Sequence, residues 1–294
     1  MVTPASRMRR ELAARIADAY VSAGADAVLL GGSTGRGEAD LYSDIELGVF
    51  WRNAPTDAQR AAAIERSGGD LHRLWPYSDA ERAWFDDWFV GRRDDEPKSG
   101  VAVEPVHMTV DDAQTTVDDV VLRFDPDLTK HVLLAALRDG EPLAGADVLR
   151  PWLDAAAEYS DELARAVVET HAQIDHFWRF PMYRDRGNPL QAAQMTSDVH
   201  ARVLHALHAV NRVYWYGFKS LESIARRLPV APPDLVARVR AAYHLDYDAR
   251  ASELATLVEE TYDLVEDHVP GVDVEQLRTI FRYRRPLWDD EMPA

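Results

Sequence analysis

The chain contains no cysteine. That excludes disulfides, thiolate metal sites, iron–sulfur clusters and cysteine nucleophiles. Lysine is nearly absent as well: Lys98, Lys130 and Lys219 stand among 33 basic residues, and all the others are arginine. No apolar run approaches the ~20 residues needed to cross a bilayer. After Arg7, Arg9 and Arg10 the N-terminal stretch is broken by Glu11, Arg15 and Asp18, so neither a signal peptide nor a membrane anchor is expected. The cytoplasm is the expected compartment. Positive charge is also in deficit, with 50 acidic side chains and a formal net charge of −17. A nucleic-acid binder needs a basic footprint, so nucleic acid is excluded as a partner. The surplus acid suits a cationic small molecule, although it is first of all a statement about solubility.

What is present describes an ordinary globular protein of about two domains, from 294 residues at roughly 150 per domain. Residues 5–23 read as a helix with Leu12, Ile16, Ala19 and Tyr20 on one face, ended by Gly24. Ala27–Leu30 reads as a buried strand that runs straight into a glycine-rich turn, and a second strand is expected at 44–51. A helix at 57–66 is broken by Ser67-Gly68-Gly69. Segments 84–90 and 101–110 read as an antiparallel hairpin around a polar turn at 91–100. Thr109 is placed to cap a helix starting near Asp111. Residues 140–145 read as a loop. Beyond it the pattern is helical at 151–180, 189–227, 232–244 and 248–268, with breaks at 181–189 and 229–233. The expected fold class is α+β: a small mixed-sheet domain over 1–147, then an all-helical domain over 148–294.

The stretch that carries chemistry is 31–49, GGSTGRGEADLYSDIELGV. A strand ending in Gly-Gly-Ser brings backbone close to a ligand. The turn presents amides and the Ser33 hydroxyl to an anion such as phosphate. No Gly-Lys-Ser/Thr follows, so this is not a Walker loop, and the glycines at 31, 32, 35 and 37 miss the dinucleotide spacing. On the next strand, residues two apart share a side, so Asp44 and Glu46 project together while Ile45, Leu47 and Val49 face the core. Two hard carboxylates beside a phosphate cradle suit Mg²⁺. A cradle and an acidic pair are what metal-dependent phosphoryl or nucleotidyl transfer requires.

Gly32-Ser33-Thr34-Gly35-Arg36 followed by Tyr42-Ser43-Asp44-Ile45-Glu46 resembles the signature of the nucleotidyltransferase superfamily. Within it, the pattern is most similar to the kanamycin-nucleotidyltransferase group of antibiotic-modifying adenylyltransferases, which also join an α/β domain to a helical one. The resemblance implies ATP (or another nucleoside triphosphate) as co-substrate, with Gly32, Ser33, Arg36 and Ser43 on the nucleotide and Asp44 and Glu46 on Mg²⁺. It implies a third carboxylate on a later strand, for which Glu104 is the candidate, as metal ligand or general base. Pro105 departs from an ordinary strand and predicts an edge or a bulge there. A small hydroxyl-bearing acceptor of aminoglycoside type is the implied partner, and a homodimer stays open.

Aligned on Val168-Glu169 and Trp178-Arg179, Gln173 stands where that group carries its base glutamate. Glutamine accepts no proton usefully, which leaves Glu104, Glu169 or Asp175 as the base. Lys219 lies in an aromatic-rich segment read as helix, and the resemblance implies a contact with the triphosphate. His200, His205 and His208 share a helix but lack metal-ligand spacing. Two other function classes fit part of the pattern: a nucleotidyltransferase that modifies a protein, as in toxin–antitoxin systems, and a nucleotide-binding regulatory module without activity.

Overall fold

The computed structural model describes residues 2–91 and 99–286. The chain is α+β and divides into two units, one running to Glu158 and the other starting at Tyr159. Most of the expected turn at 91–100 lies outside the described residues.

In the first unit, helix α1 (Pro4–Ser22) starts with Pro4 in its first turn and is capped by Thr3, whose Oγ1 accepts from the Ser6 amide. Strand β1 (Ala27–Leu30) is buried throughout. A four-residue helical turn, α2 (Gly32–Gly35), leads to β2 (Ile45–Trp51). Helix α3 (Asp57–Arg66) opens with a reciprocal cap between Thr56 and Gln59. Strand β3 (Gly69–Leu74) follows, a strand that the broken helical pattern conceals. Then come β4 (Trp84–Val90), β5 (Val101–Thr109) and α4 (Val110–Val121), whose first turn Thr109 caps. Helix α5 (Leu128–Asp139) is followed by β6 (Glu141–Ala144) and α6 (Ala146–Ala156).

The strands form one sheet in the order β3-β4-β5-β2-β1-β6. The central pair β2–β5 is parallel, and every other pairing is antiparallel. Segment 141–144, expected as part of a loop, is therefore an edge strand on β1. Glycine and proline suggested punctuation there, but β1 would otherwise present an open, fully apolar edge. The main core lies on the α1/α3 side, where Ile16 and Tyr20 meet Leu47, Val49, Trp51 and Trp88.

Pro105 does not sit at an edge. Strand β5 is interior, between β4 and β2. On the β4 side the pairs run Phe85↔Val106 and then Trp88↔Val103, the same register on both sides of an interruption. The missing N–H is absorbed as skipped rungs rather than as a bulge, while Leu47↔Pro105 stays paired on the β2 side.

The first unit extends past the expected boundary at 147 because α6 packs into it. Its Trp152 ring lies 5.0 Å from Phe50 of β2, and its Nε1 donates to Gln114 Oε1 of α4 at 2.8 Å.

The second unit is helical: α7 (Asp161–His171), α8 (Arg179–Asp185), α9 (Pro189–Val210), α10 (Leu221–Arg227), α11 (Leu235–Ala242), α12 (Tyr247–His268) and α13 (Val274–Arg282). The long helices α9 and α12 pack on each other, and α7 packs on α9. Two of the helices expected from the sequence are divided. The span 151–180 breaks at 157–160, where Ser160 caps a new helix, and again after His171. The span 189–227 breaks at 211–220, where Arg212 takes a left-handed φ of 54°. The Asn211 side chain fixes that turn by donating to Leu207 and Val230 carbonyls at 2.8 Å. The expected break at 181–189 is instead mostly helix α8, since Pro181 falls in its first turn. Among the described residues, no helix is long and apolar enough to cross a membrane.

Candidate functional site

The Gly31–Gly37 turn and the start of β2 are built as one piece. The Gly31 amide donates to the Glu46 carbonyl at 3.0 Å, and Thr34 Oγ1 donates to the Asp44 carbonyl at 3.1 Å. Gly32 adopts φ +60°, and a Cβ placed on it would lie 1.9 Å from Glu46 Oε2. The Glu46 carboxylate therefore occupies the space that a side chain at position 32 would need. Gly35 is equally constrained, since a Cβ there would come within 2.7 Å of the Leu30 carbonyl. These two close approaches explain the glycine spacing better than any nucleotide fingerprint does.

Ser33 Oγ donates to Ser43 Oγ at 3.0 Å, which ties the two halves of the motif together. Ser43 Oγ accepts from the Asp40 amide at 3.0 Å. From outside the motif, Arg9 of α1 is buried and donates through Nε to the Ser43 carbonyl at 2.8 Å. Arg10 donates through Nη2 to the Gly35 carbonyl at 2.7 Å. Arg36, an expected nucleotide-binding position, pairs with Glu38 at 3.8 Å. Leu41 and Tyr42 stand at the lip of the turn, 78% and 86% exposed.

Along β2 the expected alternation holds: Ile45, Leu47 and Val49 are buried, and Asp44 and Glu46 are partly exposed. Glu104 of β5 is the direct register partner of Glu46 across the parallel pair and is exposed. Both carboxylates thus project from the same face, near the starts of their strands. The sheet register adds one residue that sequence reasoning missed. With Phe85 opposite Val106 and Trp88 opposite Val103, Asp87 of β4 faces Glu104. Its Oδ2 accepts from Trp75 Nε1 at 2.8 Å. Alternation in Trp84-Phe85-Asp86-Asp87-Trp88 separates the two aspartates onto opposite faces, but only the register shows which of them neighbours Glu104.

Asp86 goes to the other face, into the core. Its carboxylate is held by Arg60 Nη1 through Oδ1, and its Oδ2 lies 2.8 Å from His107 Nε2. Trp51 Nε1 donates to His107 Nδ1 at 3.2 Å. That donor fixes the tautomer, because Nδ1 accepts and Nε2 must carry the proton given to Asp86. Burial lowers the His107 pKa below its ordinary value, and Asp86 opposes that shift. This network stiffens the sheet under the acidic face and does not reach it.

Carboxylates are hard oxygen donors, so the set Asp44, Glu46 and Glu104 fits Mg²⁺ by chemistry. Among the described residues, however, no three His, Asp or Glu side chains are gathered as a ready-made metal cage. The acidic row is placed by backbone register and is not closed around a point.

Other candidates lie elsewhere. Lys219 is in the exposed part of the 211–220 turn and not on a helix. Its aromatic neighbours Trp215 and Phe218 pack on His205, with ring centroids 4.6 and 5.6 Å away. Glu169 is exposed on α7. Gln173 and Asp175 sit in the segment after α7, where Gln173 Nε2 donates to Asp175 Oδ1 at 2.9 Å. No protein-family model matches the chain, and no curated protein matches it.

Proposed function

We propose that the protein is a Mg²⁺-dependent nucleotidyltransferase that moves a nucleoside monophosphate, AMP from ATP, to a hydroxyl of a small cationic acceptor of aminoglycoside type. One observation carries this reading: the Glu46 carboxylate packs against the Gly32 backbone, so the glycine turn and the acidic strand form a single unit. A phosphate chain laid on the turn would meet the carboxylates directly.

In this reading the amides of Gly32 and Ser33, which open a helical turn and have no intrahelical acceptor, hold the outer phosphates together with the Ser33 hydroxyl. Ser43 and Arg9 keep Ser33 in place. Asp44 and Glu46 would hold Mg²⁺, which supplies neutralisation of the phosphate charge. The acceptor hydroxyl attacks the α-phosphorus, the bond to the bridging oxygen breaks, and pyrophosphate leaves with the pair. The hydroxyl proton goes to a carboxylate, for which Glu104 is favoured because it belongs to the same acidic row as Glu46. A supply of ATP sets the reaction in the cytoplasm.

The test is a pyrophosphate-release screen of ATP and GTP with Mg²⁺ against a panel of aminoglycosides and other hydroxyl-bearing antibiotics. Release that depends on both acceptor and metal, and that is lost in Asp44→Asn, supports the reading. No release with any acceptor, or release untouched by Asp44→Asn, removes it.

A further inference from the structure

The second unit contains a cleft of about 320 Å³ between the segment after α7, helix α8 and the first half of α9. Its floor is apolar, with Ile174 and Val199 buried. Its walls carry four charged side chains: Asp175, Asp198, Arg179 and Arg202. The volume is at the small end of ligand-binding pockets, enough for a molecule of amino-acid or dipeptide size.

The four charges do not neutralise one another. Among the described residues, the side chains of Asp198 and Arg179 make no hydrogen bond or ion pair. The Arg179 guanidinium rests instead over the Trp178 ring, 5.3 Å from its centroid. Among the described residues, Arg202 reaches only the His171 carbonyl, at 3.4 Å, and Asp175 accepts only from Gln173. Six other arginines of the unit, Arg184, Arg212, Arg238, Arg240, Arg278 and Arg282, each pair with a carboxylate. The cleft wall also holds His176 in a left-handed backbone conformation, φ 62°, which a non-glycine residue adopts at a cost.

Guanidinium groups recognise carboxylate or phosphate, and carboxylates recognise ammonium. A ligand with one sign of charge would satisfy half of this wall and be repelled by the other half. We infer that the cleft binds a small zwitterion, a molecule bearing both an ammonium group and a carboxylate or phosphate. The anionic end lies toward Arg179 and Arg202 and the ammonium toward Asp198 and Asp175. The inference goes beyond nucleotidyl transfer, since none of Asp44, Glu46 or Glu104 takes part in it.

The test titrates the full chain calorimetrically, and melts it, with glycylglycine, L-glutamine and O-phosphoethanolamine. Ethylamine and acetate serve as single-charge controls. At least one zwitterion should bind and raise Tm, with both controls weaker by about tenfold or more. Asp198→Asn and Arg179→Gln should each weaken that zwitterion by about tenfold. Both positions line an open wall, so the ligand-free circular dichroism and Tm of the variants should stay as wild type. Asp44→Asn should bind it unchanged, which separates this site from the transfer reaction. The inference is overturned if no zwitterion binds, if ethylamine or acetate binds as well as the zwitterions, or if binding survives intact in both cleft variants.

Discussion

The Glu46 carboxylate lies where a side chain on Gly32 would have to be, with Oε2 at 1.9 Å from the position of a Cβ. Gly32→Ala therefore imposes two penalties. The left-handed backbone at φ +60° costs a non-glycine residue roughly 1–2 kcal/mol, and Glu46 must swing away. The expected outcome is a stability loss of about 1–3 kcal/mol in urea melts and loss of nucleotidyl transfer. An active Gly32→Ala enzyme would show that the contact between turn and strand is not needed.

Asp44→Asn should abolish transfer while the melt stays within about 0.5 kcal/mol of wild type, because the side chain is at a partly exposed strand start. The order of carboxylate effects is a sharper expectation. Glu104→Gln should lower kcat more than Glu169→Gln or Asp175→Asn, since Glu104 is in register with Glu46 and the other two belong to the helical unit. Measured kcat at saturating nucleotide and Mg²⁺ decides it. A dead Glu169 or Asp175 variant beside an active Glu104 variant would move the base to the helical unit.

Local signals in this sequence translated well, and non-local ones did not. Helix 57–66 is legible because Thr56 and Gln59 cap it in the immediate chain. The Asp44/Glu46 alternation is legible because strand period needs no partner. Strand β6 is not, because only the open edge of β1 makes a strand of a Gly-Glu-Pro-Leu-Ala-Gly segment. Pro105 misled for the same reason: whether a missing donor matters depends on what lies across the sheet. In the site, Asp87 and Arg9 were invisible. One is placed by the β4–β5 register, and the other reaches Ser43 from a helix far back in the chain. Lys219 was misplaced because a helical hydrophobic pattern continues past Asn211, while the backbone reverses at Arg212.

The buried set of Arg60, Asp86 and His107 should be costly to break at one member. Asp86 and Arg60 are 1% exposed, and Asp86 serves both neighbours. Asp86→Asn removes the buried counter-charge of Arg60 and leaves it only the exposed Asp57 carboxylate at 2.6 Å, at an expected cost of about 3 kcal/mol. Arg60→Met combined with Asp86→Leu removes both charges and should recover part of that loss. Equilibrium urea unfolding of the single and double variants checks this. A single variant costing under ~1 kcal/mol would mean the charges are solvated after all.

Acid should destabilise the fold through His200. The ring is 4% exposed, and among the described residues neither nitrogen has a hydrogen-bond partner. Burial pushes its pKa from 6.5 down to about 4, with Glu253 pulling weakly the other way. A folded pKa below the unfolded one favours the neutral ring. The contribution is therefore whole above pH 6.5 and is lost as pH falls from there toward 4. Its size is at most roughly 3 kcal/mol, at about 1.4 kcal/mol per pH unit. His205, pushed down to about 3 chiefly by burial, adds loss of the same sign. His200→Phe should flatten the stability profile between pH 6.5 and 4 without abolishing its slope. An unchanged profile would show that water reaches the ring.

Salt should separate the acceptor from the nucleotide. The chain carries −17, and its acidic face lines up Asp44, Glu46, Glu104 and Asp87. A polycationic acceptor drawn to that field gains long-range attraction and short ion pairs. Exposed charges are screened over about 8 Å at physiological ionic strength, so that part of the affinity is salt-sensitive. In the proposed reading MgATP would be gripped mainly by amides, hydroxyls and metal contacts at short range, which salt screens less. Aminoglycoside affinity should therefore fall by about three- to tenfold from low to high ionic strength, and MgATP affinity by clearly less. Calorimetric titration of each at two salt concentrations gives the comparison. An acceptor whose affinity ignores salt is not held as a polycation. That result would remove the aminoglycoside-type assignment while leaving nucleotidyl transfer at Asp44 and Glu46 to be judged by pyrophosphate release alone.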